Sequence, residues 1–140
     1  MKKIFFIKYS LLLCLMVSCD PEYSLDAIVK NKTSTDLKVH FVSADRFSTL
    51  PNNTKILTIA SGRYDYYMSL PPEIGGRDYM PPFTDHDSIY ITNTSNEVLK
   101  VYKVDTPGKN IYNIDRYWVI RETKNHTEYT YTITDEDIGN

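Results

Sequence analysis

Glu128-Tyr-Thr-Tyr-Thr-Ile-Thr134 alternates apolar side chains with threonine at every second position. Successive side chains of an extended chain point to opposite faces. Tyr129, Tyr131 and Ile133 therefore share one face and the threonines share the other, the pattern of a half-buried strand. Outward from this run the same alternation recurs in short pieces. Tyr117-Trp-Val-Ile-Arg-Glu122 precedes it across Lys124-Asn-His-Thr127. Residues 88–92 and 98–103 flank Asn93-Thr-Ser-Asn-Glu97, and residues 54–60 and 63–68 flank Ser61-Gly62. Residues 24–30 and 37–42 read as an antiparallel hairpin closed by Asn31-Lys-Thr-Ser-Thr-Asp36. About eight short strands rich in Tyr, Thr, Val and Ile predict an all-β domain. With no helical crossovers the strands should be antiparallel, in a two-layer β-sandwich of immunoglobulin-like or transthyretin-like topology, with a closed barrel as the second choice. The Cys…Trp…Cys spacing of true immunoglobulin domains is absent. Thr134-Asp-Glu-Asp-Ile138 predicts one capped helical turn after the last strand.

At 140 residues the chain has room for one ordinary domain. Its ends differ sharply. Met1 to Lys8 carry three lysines, and Tyr9-Ser-Leu-Leu-Leu-Cys-Leu-Met-Val17 is an apolar run of about nine residues. A membrane-spanning helix needs roughly 20 such residues, so this run fits the core of a secretory signal. Removing Lys2, Lys3 and Lys8 from the 16 basic residues leaves 13 against 18 acidic ones, a net charge near −5. That balance argues against nucleic acid as a partner and against adhesion of the domain surface to anionic lipid.

Met16-Val17-Ser18-Cys19 resembles a bacterial lipobox. The resemblance implies cleavage between Ser18 and Cys19, and diacylglycerol on the Cys19 sulfur together with further acylation (palmitate-type chains). Two or three acyl chains make an anchor effectively permanent, where one gives only marginal binding. Residues 1–18 are then a signal peptide, residues 19–23 a lipidated Cys with a short tether, and residues 24–140 the β-sandwich. Cys14 leaves with the signal and Cys19 is consumed by lipid, so no disulfide, thiol nucleophile or thiolate metal site is expected. The acidic residues after Cys19 and the Tyr- and Asn-rich, Cys-free body resemble small envelope lipoproteins of Bacteroidota. That likeness implies attachment to the outer membrane, whereas the rule of enteric bacteria, in which an Asp directly after the lipidated Cys retains a lipoprotein, would keep it at the inner membrane. Asp87-Ser88-Ile89 resembles the O-glycosylation signal of Bacteroidota envelope proteins, which would modify Ser88. Four Asn-x-Thr/Ser triplets, at Asn31, Asn52, Asn93 and Asn125, fit the eukaryotic glycosylation pattern, which a bacterial lipobox makes irrelevant.

Few residues invite chemistry. Thr84-Asp-His-Asp87 sets an imidazole between two carboxylates, but in a strand they would point to opposite faces, and the segment reads as a polar loop. His40 and His126 have no metal-type spacing to His86. No Gly-x-Ser-x-Gly or phosphate loop is present. The chain is expected to be no enzyme and to need no cofactor. Residues 70–86 hold four of the seven prolines and Gly75-Gly76. A loop this long is uncommon unless functional or disordered, and Arg77, Asp78, Tyr79 and Met80 at its tip are candidates for a binding loop. Its plainer reading packs Tyr79 and Phe83 onto the sheet. Tyr64 and Tyr66 share a face that Tyr67 does not, so one set belongs to the core. Trp118 reads as the core tryptophan. The expected role is a non-catalytic interaction or structural module of the cell envelope. The alternative is a surface glycan-binding accessory protein, with Tyr79, Trp118 or the cluster at Tyr64, Tyr66 and Tyr67 as its stacking platform.

Overall fold

The computed structural model describes residues 22–43, 54–74 and 83–139, and within these the alternation has become two four-stranded sheets. One sheet contains β1 (Glu22–Asn31), β4 (Tyr64–Ile74), β7 (Val119–Glu122) and β8 (His126–Ile133), in the order β4-β1-β8-β7. The other contains β2 (Leu37–Val42), β3 (Thr54–Ile59), β5 (Ser88–Asn93) and β6 (Val98–Tyr102), in the order β3-β2-β5-β6. A 3-10 turn at Phe83–Asp85 and two single-turn helices, α1 (Ile114–Tyr117) and α2 (Asp135–Ile138), complete the described residues. The helical turn expected after the last strand is α2. The Asp137 carboxylate accepts from the backbone N–H (2.8 Å) and hydroxyl (3.0 Å) of Thr134, and Gly139 ends the turn at φ 78°.

Between the sheets lie the apolar faces the sequence pattern picks out. Leu37, Val39 and Phe41 of β2 are fully buried, and they face Tyr129, Tyr131 and Ile133 of β8 across the core. Trp118 is buried between Phe83 and Tyr131, with ring centroids 4.6 and 5.4 Å away. Its indole N–H donates to the Ile111 carbonyl at 2.7 Å. Phe83 also meets Tyr67 at 4.5 Å, so the end of the Pro-rich segment is pinned into the core.

Three expectations about pairing need correction. The hairpins β5–β6 and β7–β8 form as expected, but β1 and β2 are not a hairpin and lie in opposite sheets. The same holds for β3 and β4 across Ser61-Gly62. An immunoglobulin order would keep the first two strands in one sheet, whereas here the chain changes sheet between them. The third correction is that β1 and β8 pair in parallel, from Ser24↔His126 to Asn31↔Ile133. Parallel neighbours need a long crossover, usually a helix. Here the passage through the second sheet supplies it. β4 also runs to Ile74, past Pro71 and Pro72, where a loop was expected from residue 70. It is an edge strand, where missing N–H donors are tolerated. The register shift opposite Ser24 takes up the extra residue.

The sheet change after β1 depends on a buried side chain. Asn31 is fully buried; its amide donates to the carbonyls of Thr35 (2.8 Å) and Ile59 (2.9 Å). Its oxygen accepts from the backbone and hydroxyl of Thr33, at 2.8 and 2.7 Å. Asn110 does the same after β6, donating to the carbonyls of Lys103 (2.7 Å) and Thr106 (3.0 Å) and accepting from Tyr112 N–H (3.1 Å). Asn31→Ala would strand several buried polar groups, each costing about 1–3 kcal/mol. We expect a loss of roughly 3 kcal/mol in urea denaturation with an unchanged m-value; a loss within error of zero would mean the crossover holds without this side chain.

Candidate binding surface on the outer face of the first sheet

The outer face of the sheet β4-β1-β8-β7 is built from side chains that alternate with the core residues. Register sets them in rows. Tyr66, Ile28, Thr130 and Val119 form one row, and Tyr64, Lys30 and Thr132 form the next. Asp26, Glu128 and Arg121 make a third. All of these except Asp26, together with Lys32, line an open groove of about 340 Å³, within the range of small-molecule sites. Ile28 is 8 % exposed yet outside the core cluster, so it forms the groove floor. Tyr64 and Tyr66 are 54 % and 42 % exposed and meet edge to face at 5.7 Å. The Tyr66 hydroxyl donates toward Tyr64, which raises the Tyr66 phenol above its ordinary pKa. Arg121 faces Glu128 at 3.8 Å, and His126 faces Asp26 at 3.7 Å.

The structure separates the candidates read from the sequence. Tyr64 and Tyr66 belong to the groove, while Tyr67 is core. Trp118, at 6 % exposure, has no face open to a sugar and drops out as a stacking platform. Asp85 and Asp87 are exposed whereas His86 is buried, so the three do not converge. Among the described residues no group of His, Cys, Asp or Glu could hold a metal ion. Ser88 is half-buried at the start of β5, opposite Val42. Arg77, Asp78, Tyr79 and Met80, like Ser18 and Cys19, lie outside the described residues. Lys30, Glu128, Thr130 and Arg121 were not anticipated as neighbours. They stand on strands far apart in sequence, and only their outward alternation marks them.

No family model matches the chain, and no curated protein matches it. Among solved structures it is similar to the dioxygenase domain of a dioxygenase–carbohydrate-binding protein fusion from the cellulolytic bacterium Streptomyces sp. SirexAA-E. That likeness has 13% identity, covers 86% of this chain and 84% of that one, and has a TM-score of 0.40. A resemblance this loose says nothing about chemistry. No helix among the described residues is long and apolar enough to cross a membrane.

Two imidazoles are buried away from the groove. His86 Nε2 meets the Tyr67 hydroxyl at 2.8 Å, and the His86 carbonyl accepts from the Tyr112 hydroxyl at 3.0 Å. Its Nδ1 has no partner among the described residues. His40 stacks on Tyr90 at 4.3 Å and meets the Thr92 hydroxyl at 3.1 Å. Burial lowers both pKa values from the ordinary 6.5, with Lys38 assisting at His40. At His86 the adjacent Asp85 and Asp87 oppose burial without overcoming it. The unfolded chain therefore takes up protons first as pH falls. Stability is complete above pH 6.5 and declines below it. The melting midpoint should fall between about pH 7 and pH 5, above the range where ordinary carboxylates titrate. A His40→Gln/His86→Gln variant should show a shallower fall, and an identical slope would remove these two rings as the cause.

Proposed function

We propose that this chain is a lipid-anchored, non-catalytic binding module of a bacterial cell envelope, attached through Cys19 and recognising its partner with the outer face of the first sheet. The observation that carries the binding role is the groove walled by Tyr64 and Tyr66. It combines exposed aromatic rings, an apolar floor and polar rims on rigid strands. Tyrosine suits such a surface because it offers a large contact area with a polar end and little entropy to lose. The lipobox Met16-Val17-Ser18-Cys19 supports the anchor, and the acidic residues after it support the outer membrane. β1 begins at Glu22, three residues beyond Cys19, a reach of about 10 Å. The module would therefore work close to its membrane. Modification of Ser88 is part of the same envelope reading.

A second reading, a surface glycan-binding accessory lipoprotein, is favoured by the exposed tyrosine pair. The two differ in where the domain faces. Cys19→Ala should move the protein from the membrane pellet to the soluble fraction, and continued detergent-dependent membrane association would overturn the anchor. Protease added to intact cells, with a periplasmic protein as control, decides between the readings. Digestion supports the glycan role at the surface, and protection assigns the module to a periplasmic envelope partner.

A further inference from the structure

The charges lining the groove are not evenly spread. At the end near Tyr66 the carboxylate lining the groove, Glu128, already faces the Arg121 guanidinium at 3.8 Å. At the other end Lys30 and Lys32 line the groove beside Tyr64, and neither has an ion pair among the described residues. This happens on a chain whose residues 19–140 carry a net charge near −5. Two uncompensated ammonium groups in a concavity of an acidic domain complement an anion. Tyrosine rings and threonine hydroxyls nearby suit the apolar faces and hydroxyl edges of a sugar ring.

We infer that the groove binds an acidic glycan, a saccharide chain bearing carboxylate or sulfate groups that meet Lys30 and Lys32 while a neighbouring ring lies against Tyr64 and Tyr66. This rests on the glycan reading above and gives it a substrate class. Four strands at about 4.8 Å spacing make the face roughly 14 Å wide, enough for a short stretch of chain to cross from β4 to β7. The floor is rigid because β1 and β8 are each hydrogen-bonded on both sides. Lysine contacts in open solvent are screened by salt, so binding should weaken as ionic strength rises.

The test is native affinity electrophoresis of the detergent-solubilised full chain. Gels contain polygalacturonate (carboxylate only), chondroitin sulfate (both anions) or neutral dextran, and a single-stranded oligonucleotide competes in a separate arm. Retardation by an acidic polymer and not by dextran is expected. Polygalacturonate alone, or chondroitin sulfate alone, would say which anion the groove prefers. Lys30→Gln/Lys32→Gln should weaken binding about ten-fold at low salt, two exposed ion pairs' worth, and Tyr64→Ala/Tyr66→Ala should abolish it. Circular dichroism of both variants checks that they fold. Equal retardation by dextran, insensitive to the lysines, overturns the acidic preference and leaves the glycan reading standing. Retardation by no polysaccharide overturns both. Acidic-polymer binding that survives the lysine variant, or that the oligonucleotide displaces with equal affinity, overturns the site as a glycan groove.

Discussion

The sandwich depends on how the chain leaves β1. A strand that ended in an ordinary turn would fold back beside itself, and β1 and β2 would share a sheet. Asn31 prevents this by holding Thr35 and Ile59 through its amide while its oxygen holds Thr33. The main chain assists, with Asn31 N–H donating to the Arg63 carbonyl and its own carbonyl accepting from Gly62 N–H. One buried side chain thus joins β1, the crossover and β3 across the two layers. Every polar atom of the Asn31 side chain is satisfied, and that is the condition under which a buried amide specifies structure without destabilising it. Asn110 repeats the device where the chain returns to the first sheet.

With the crossovers fixed, the core closes around aromatic rings. Phe41, Tyr67, Phe83, Trp118 and Tyr131 form a chain of contacts running from β2 to β8. The rings come from five separate segments, Trp118 from the junction of α1 and β7, so the cluster binds both sheets and the segment before β5 into one unit. Hydroxyls left inside are paired or strongly perturbed. Tyr131 approaches Tyr102 at 3.4 Å, and burial pushes the Tyr102 phenol up to about 12. The outer face of the first sheet is free of structural duty because the inner face carries the packing. That division lets Tyr64 and Tyr66 stay exposed three and one residues before the buried Tyr67.

The alternation of Tyr129, Tyr131 and Ile133 made the strands and their buried faces legible in the sequence, and Thr134 and Asp137 made the last helical turn legible. Periodicity states which side of a strand is buried, but not which strand lies beside it. That is why β1 and β2 looked like a hairpin and the parallel β1–β8 ladder was missed. The Asn31-Lys-Thr33 and Asn93-Thr-Ser95 triplets do not separate the two cases, since the first precedes a sheet change and the second closes the β5–β6 hairpin. Both are side-chain-to-backbone turns, in which the asparagine oxygen accepts from the residue two further on. Pro71 and Pro72 suggested a loop because position at a sheet edge cannot be read from one strand alone. Of the ten residues lining the candidate surface, only Tyr64 and Tyr66 were visible as candidates. Ile28, Lys30, Glu128 and Arg121 became neighbours only through register.

The parallel ladder also sets how the domain would bear force. A lipid on Cys19 would transmit tension into the first residue of β1, which sits in the middle of its sheet with partners on both sides. A pull along that strand loads its hydrogen bonds to β4 and β8 together, in shear. A terminal strand at a sheet edge would instead unzip one rung at a time. Tethered this way, the domain would resist being dragged by a ligand held on its outer face without unravelling from its own leash.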